Sequence, residues 1–428
     1  MTEPRRNPKR KASDLVKHLD GMPSDLLQEA LRPLDPKEIE EWEGWIELES
    51  EPAFFNIILR DLGVKNVKAQ ELFTLDQDSV DFLPKPVFGL IFLFQYLPGF
   101  DDTEDEDDVG DVWFANQTTQ NACATVALLN IVMNAPEAEL GNQLKKFKES
   151  TKGLNTALRG HRLGSNTFIR SIHNSFTRRM DQLNADLGLE NEASEPKTKK
   201  SKNRTAAKKG KGQRRRKVAE DDYAFHFVAY VPADGQVWEL DGLKTKPHKL
   251  GPIKSDDWTT VARPQIEARM LQYEDSQLSF NLLALCQSPL AVHSHKIAKN
   301  LASLRLLRES LQSKLAFEPC SPWTDETKTS SFLSEFQLTD SDVENAAIPQ
   351  DFQERVLKVD SSQEAHELYN SIMTDTKATI GEYRAELVSM AEDEQRVKGR
   401  RKDYGPALHK WVAKLAEKGV LEDLIRCT

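Results

Sequence analysis

Three features of the sequence predict an α+β fold: a central antiparallel sheet flanked by helices, with an all-helical extension at the C-terminal end. Residues 86–95 and 223–231 are short, aromatic-rich and almost continuously apolar, as strands buried on both faces of a sheet are. The second run leads into Pro232-Ala233-Asp234-Gly235, and residues 237–241 return from that turn, which makes an antiparallel hairpin. Between the two runs, residues 126–133 are apolar on almost every side, the pattern of a helix enclosed in a core.

At 428 residues the chain is long enough for two or three folded units. Its net charge of -10, from 58 basic and 68 acidic residues, is unevenly spread. Four cysteines, Cys123, Cys286, Cys320 and Cys427, show no paired spacing, which argues against a disulfide scaffold and a zinc site and fits a reducing compartment. The longest apolar run, 87–94, is too short to cross a bilayer, and no hydrophobic segment follows the N-terminus as in a secretory signal. A soluble intracellular protein without membrane contact is expected.

Residues 1–40 are polar, with Arg5-Arg6 and Lys9-Arg10-Lys11, and read as a disordered tail with a short helix near 24–31. Structured sequence starts at Trp42, and Ser50-Glu51-Pro52 opens a helix over 53–62. Residues 67–72 and 80–83 are apolar pieces between turns. The acidic run 101–108, interrupted only by Thr103, is a loop. Residues 140–180 read as helices, with Phe168, Ile169, Ile172 and Phe176 on one packed face. Residues 197–217 hold twelve Lys or Arg and no acid, so 181–222 reads as one long flexible loop. An amphipathic helix over 258–273 and a strand over 280–286 complete a unit that spans 41–290. A charged helix, 294–317, and a loop-like stretch, 320–350, form a linker over 291–350. The last unit, 351–428, holds a long helix or helix pair over 354–396, weak at Gly381 and Gly399. Residues 404–425 end it with a helix or pair that carries Leu408, Trp411, Val412 and Leu415 on one face.

The stretch Asn116-Gln117-Thr118-Thr119-Gln120-Asn121-Ala122-Cys123-Ala124-Thr125 runs into the apolar helix. With Asn121 as N-cap, Cys123 falls in the first turn, where the helix dipole and unbonded N–H groups favour a thiolate. A cysteine in such a helix is commonly an inert core residue, and a histidine inside a buried strand is commonly structural. The hairpin changes that balance. If Ala233-Asp234 form its tip, His226 faces Asp241 directly; if Asp234-Gly235 form it, Asp241 lies one diagonal step away. Either register brings the two side chains within about 5–8 Å. A carboxylate beside an imidazole fixes its tautomer and leaves the other nitrogen to take a thiol proton. Cysteine at a helix start with histidine and carboxylate on neighbouring strands is the arrangement of papain-like proteases. An oxyanion would be met by the Cys123 N–H and by a side-chain amide, and spacing leaves both Gln117 and Gln120 open.

Phe114-Ala115 together with that stretch resembles the active-site signature of the ubiquitin C-terminal hydrolases, thiol deubiquitinases. Phe225-His226-Phe227-Val228 and Glu239-Leu240-Asp241-Gly242-Leu243 resemble the family's histidine and aspartate motifs, in the same order. Trp45-Ile46-Glu47-Leu48-Glu49-Ser50-Glu51-Pro52 and Gly89-Leu90-Ile91-Phe92-Leu93-Phe94 are similar to its opening segments, so the likeness covers about 42–288. The resemblance implies Cys123 as nucleophile, His226 as general base and acid, Asp241 as its orienting partner and Gln117, six residues before the nucleophile, as oxyanion donor. It further implies attack on the carbonyl of ubiquitin's C-terminal glycine, a thioester intermediate, and no cofactor or metal.

Lys402-Asp403-Tyr404-Gly405-Pro406, Trp411-Val412-Ala413-Lys414-Leu415-Ala416 and Leu421-Glu422-Asp423-Leu424 are similar to the helical C-terminal domain of the long family members. There the resemblance implies docking on a ubiquitin-receptor subunit of the proteasome or on a chromatin-associated regulator. By that resemblance residues 181–222 occupy the position of the family's active-site crossover, and their basic part, 197–217, has three readings: a nuclear import signal, a contact with nucleic acid or a nucleosome, or a solvated insertion. Nucleus and cytoplasm are the expected locations. The rival expectation is a ubiquitin-binding scaffold whose catalytic apparatus is idle or autoinhibited.

Overall fold

A computed structural model of the chain describes residues 31–96, 111–194, 224–255, 257–274, 280–315 and 326–420. The tail to residue 30, the acidic run 101–108, the basic run 197–217 and Leu421-Glu422-Asp423-Leu424 lie outside the described residues. Helices α1 (Pro36–Glu41) and α2 (Pro52–Asp61) precede strand β1 (Val67–Glu71). Helix α3 (Gln77–Asp81), strand β2 (Val87–Tyr96) and helix α4 (Cys123–Val132) follow. Next come α5 (Asn142–Thr151), α6 (Thr156–Gly164), α7 (Thr167–His173) and α8 (Arg179–Ser194). Strands β3 (Ala224–Ala233), β4 (Gln236–Asp241) and β5 (His248–Pro252), helix α9 (Thr259–Glu274) and strand β6 (Asn281–Gln287) complete the first unit. The helical extension consists of α10 (Pro289–Leu315), α11 (Glu326–Glu335), α12 (Asp340–Glu344), α13 (Gln350–Lys358), α14 (Ser362–Arg400) and α15 (Gly405–Glu417).

The six strands form one antiparallel sheet in the order β1-β6-β2-β3-β4-β5. Interior placement explains why β2 and β3 are apolar along their length, since both of their faces are covered. On β3, Phe227, Ala229 and Val231 join the cluster beneath α4, while Val228 and Tyr230 join the opposite cluster with Ala262 and Ile266 of α9. Every residue of α4 is buried, and each large side chain so enclosed contributes about 1.5–3 kcal/mol.

Several expectations are corrected. Residues 36–41 of the presumed tail are helical, because Asp35 and Glu38 form a capping box and Arg179 pairs with Glu38. Residues 181–194, expected to open a loop, are helical instead: α8 continues to Ser194, held at its start by Asp181 with Arg178 and along its length by Trp42 Nε1 donating to Asp186 at 3.0 Å, and the rest of the expected loop lies outside the described residues. The loop-like stretch 320–350 contains α11 and α12, the latter capped reciprocally by Thr339 and Asp342, and Leu333, Phe336 and Val343 are buried in the third core cluster. The long pair breaks at 359–361 between α13 and α14, and Gly381 passes inside an unbroken helix.

Leu304, Leu307 and Leu311 of α10 pack with Leu368, Ile380 and Tyr383 of α14 in that third cluster. The far half of α14 lies against the sheet unit. Lys68 pairs with Glu386, Arg60 with Glu394 at 2.7 Å and Arg396 with Glu51 at 2.8 Å, while Val397 is buried in the first core cluster.

Candidate active site

Cys123 is the first residue of α4, as its sequence position implied, but Asn121 is not the cap. Asn121 adopts a left-handed backbone conformation, φ 59°, and its Nδ2 donates to Trp45 O at 3.0 Å. Ala122 stands at the N-cap with no side-chain acceptor, so the first-turn N–H groups are left to other partners. The Cys123 sulfur is buried, and burial pushes the thiol up to about 11. Backbone N–H groups of Ala124, Phe227 and Cys123 itself pull it down, and the charge of Glu47 pushes it further up. The expected thiolate is thus reversed in the resting site, because desolvation outweighs the helix end. The contact with the Phe227 N–H places the sulfur on β3 one residue from His226.

The hairpin takes the second of the two registers. Ala233 pairs with Gln236 and Val228 with Asp241, so His226 lies one diagonal from Asp241. Asp234 and Gly235 both have positive φ, 50° and 69°, which is the two-residue turn that matches strand twist. His226 Nε2 lies 2.6 Å from Asp241 Oδ1, and both residues are buried. The Leu243 N–H donates to the same oxygen at 2.9 Å. Burial alone would raise the Asp241 carboxyl. The hydrogen bond and charge of His226, the Leu243 N–H and the Arg269 charge outweigh that and hold it below the usual carboxylate range. Phe94 stands edge-on to the His226 ring at 5.9 Å and seats it from β2.

Gln117 is tied to the loop after Asp241: its N–H donates to Gly242 O at 2.8 Å. Gln120 instead lines a cleft with Trp42, Trp45, Asp186 and Leu189. The structure therefore brings His226 to Asp241, Cys123 beside β3 and Gln117 beside the Asp241 loop, while Gln120 faces elsewhere. Among the described residues no three His, Cys, Asp or Glu side chains converge as a metal site requires.

Comparison with known proteins gives this arrangement a family. The chain matches the family model described as ubiquitin carboxyl-terminal hydrolase, family 1, over residues 45–271, more than half of its length. It is 34% identical over 278 residues to ubiquitin carboxyl-terminal hydrolase isozyme L5 of Dictyostelium discoideum, an alignment that covers 64% of this chain and 70% of that one. The ubiquitin carboxyl-terminal hydrolase ubh-4 of Caenorhabditis elegans is 36% identical over 245 residues, 56% of this chain and 66% of that one. Among solved structures, Trichinella spiralis UCH37 bound to ubiquitin vinyl methyl ester matches with a TM-score of 0.43 and 29% identity, covering 71% of this chain and 99% of that one. The chain belongs to the ubiquitin carboxyl-terminal hydrolase family. It is a hydrolase of the ubiquitin pathway, a thiol deubiquitinase.

Three supporting groups of this hydrolase escaped the sequence reading. Asn116 Nδ2 donates to the carbonyls of Gly242 at 3.3 Å and Lys244 at 2.5 Å, which clamps the loop that follows Asp241. Gly242 packs closely: a Cβ there would stand 3.1 Å from Gln117 Cβ and 3.2 Å from Val126 Cγ1, so its neighbours would have to give by a few tenths of an ångström. Beneath the hairpin, buried Glu239 accepts from Arg269 at 2.6 Å, and the Arg269 guanidinium lies 5.2 Å over the Phe94 ring that seats His226. A glycine and an asparagine beside the candidate residues were the available signals, but their partners are more than a hundred residues away in sequence.

Proposed function

We propose that the hydrolase cleaves the bond at the C-terminal glycine of ubiquitin, with Cys123 as nucleophile, His226 as base and acid, Asp241 as orienting group and Gln117 as oxyanion donor. The observation that carries this reading is the 2.6 Å bond between buried His226 and Asp241 beside a cysteine at a helix start. The Trichinella relative is bound to a ubiquitin derivative, which supports ubiquitin as the acyl donor.

Asp241 holds the proton on Nε2, so Nδ1 takes the thiol proton as sulfur bonds to the glycine carbonyl carbon. The carbonyl electron pair moves onto oxygen, where the Cys123 N–H and the Gln117 amide stabilise it. Its collapse breaks the C–N bond, and His226 returns the proton to the departing amine. Water, deprotonated by His226, then attacks the thioester and releases the ubiquitin carboxylate and the Cys123 thiol.

The C-terminal region docks a regulatory partner in this reading, either a ubiquitin-receptor subunit of the proteasome or a chromatin-associated regulator. Support comes from α15, where Leu408, Trp411 and Val412 are exposed on one helix. The basic run 197–217 supports nuclear as well as cytoplasmic residence and a contact with nucleic acid or a nucleosome. The rival reading is a ubiquitin-binding scaffold whose catalytic apparatus is idle or autoinhibited. Incubation with a fluorogenic amide of the ubiquitin C-terminus separates the two. The enzyme reading expects turnover by the wild-type chain and none above background after Cys123→Ala. Failure of the wild type to turn over, or turnover that survives the substitution, contradicts it.

A further inference from the structure

Helix α4 begins at the nucleophile without a cap of its own, and hydrogen bonds from elsewhere in the fold brace its first turn. Thr125, the third residue of the helix, has Oγ1 2.7 Å from Nδ1 of His173, and Nε2 of the same ring lies 2.8 Å from Ile46 O. A carbonyl only accepts, so Nε2 carries a hydrogen and donates to Ile46 O. The ring is fully enclosed, and burial holds its pKa down at about 4, so it is uncharged near neutral pH. Nδ1 of the neutral ring then offers a lone pair, and the Thr125 hydroxyl donates to it. Trp45 packs against that ring at 4.7 Å.

The segment that receives His173 is gripped on both sides. Asn174 Nδ2 donates to Gly44 O at 2.8 Å, the Ile46 N–H donates to Asn174 Oδ1 at 3.3 Å, and Asn121 reaches Trp45 O from just before the nucleophile. Further along α4, buried Asn130 accepts from the Ala115 N–H at 2.9 Å and donates to Ala115 O at 3.3 Å, which fixes the later turns. In the first turn the remaining contacts are apolar and non-directional, and the hydrogen bond from the third residue to a fixed ring is what orients it there.

We propose that His173 is a positioning residue of the hydrolase: acting through the Thr125 hydroxyl, it sets the rotation of the first turn of α4, and so the placement of the Cys123 sulfur and N–H. This rests on Cys123 being the nucleophile. A displacement of about 1 Å at the reacting atoms is enough to cost on the order of a hundredfold in rate.

Thr125→Val removes the hydroxyl at constant shape, and Thr125→Ser keeps it. Steady-state hydrolysis of the ubiquitin C-terminal amide is measured for both, with thermal unfolding as a control for fold. The expected result is a fall in kcat of about tenfold or more for Thr125→Val, KM within about twofold of wild type, and kcat restored in Thr125→Ser. Should Thr125→Val not accumulate as folded protein, His173→Gln is read the same way, since its amide N–H can serve Ile46 O at the Nε2 position while no acceptor is left at the Nδ1 position that Thr125 meets. Wild-type kcat in the hydroxyl-free variant, whatever its unfolding temperature, or an equal loss in Thr125→Ser, overturns the inference. A Cys123→Ala variant that keeps turnover overturns the nucleophile assignment and this inference with it. An inactive Cys123→Ala beside an unaffected Thr125→Val overturns this inference alone.

Discussion

At Cys123 two effects act on one sulfur in opposite senses. Three backbone N–H groups favour the thiolate, and loss of solvent disfavours it; the outcome, about 11, shows that solvent loss wins. The thiol therefore keeps its proton at rest, and in the proposed mechanism His226 removes it. Because the thiolate is the reactive form, alkylation of Cys123 should rise about tenfold per pH unit from pH 7 to 10 without a plateau. Iodoacetamide labelling followed at the Cys123 peptide measures this, and a plateau below pH 8 would mean that a thiolate–imidazolium pair exists at rest. The position of the cysteine was legible in sequence, since a helix start is a local feature. The sign of its shift was not, because burial is a property of the assembled core.

The decisive element is the hairpin with the loop that follows it. Asp-Gly is the pair that tolerates two positive φ angles in succession, so the true register was one of the two that the sequence allowed. That register sets Asp241 diagonal to His226, and the next residue, Gly242, carries the bond to Gln117. The proposed orienting acid is thus tied through one loop residue to the segment that carries the proposed oxyanion donor. Gly242→Ala should push Gln117 and the Asp241 backbone apart by a few tenths of an ångström, and we expect kcat to fall about 10- to 100-fold with KM little changed. A variant with wild-type kcat would separate the loop from catalysis. Elements that sequence reading placed poorly share one cause. Helices α1, α11 and α12 are short and polar, and they form because distant partners such as Arg179 or the α10–α14 core hold them.

Over the whole molecule, the helical extension is joined to the sheet unit along α14. Arg400 carries this contact to its end: its guanidinium donates to Phe176 O at 3.0 Å and pairs with Asp181 at the start of α8. Beyond it, α15 exposes Trp411 at 60% and Leu408 at 57%, an apolar face that the described chain leaves uncovered. If this face docks the proposed regulatory partner, the tagged 428-residue chain should recover that partner from cell extract, and Trp411→Asp or truncation before residue 350 should lose it while hydrolysis of the small amide substrate persists in Trp411→Asp. Equal recovery by all three proteins would place the partner site elsewhere. Proteasome subunits or chromatin regulators among the recovered proteins would distinguish the two settings. Helical periodicity made this region legible as helices; its contacts with residues 49–68 were not, because they join parts of the chain more than three hundred residues apart.

The central claim is that Cys123 is the atom that ubiquitin's C-terminus meets. Ubiquitin vinyl methyl ester carries an electrophile where the scissile carbonyl would sit, so incubation with the full chain and peptide mapping of the adduct tests it directly. The account predicts one ubiquitin per chain, attached at Cys123 and lost in Cys123→Ala. Attachment at Cys286, Cys320 or Cys427, or an adduct that persists in Cys123→Ala, would contradict it.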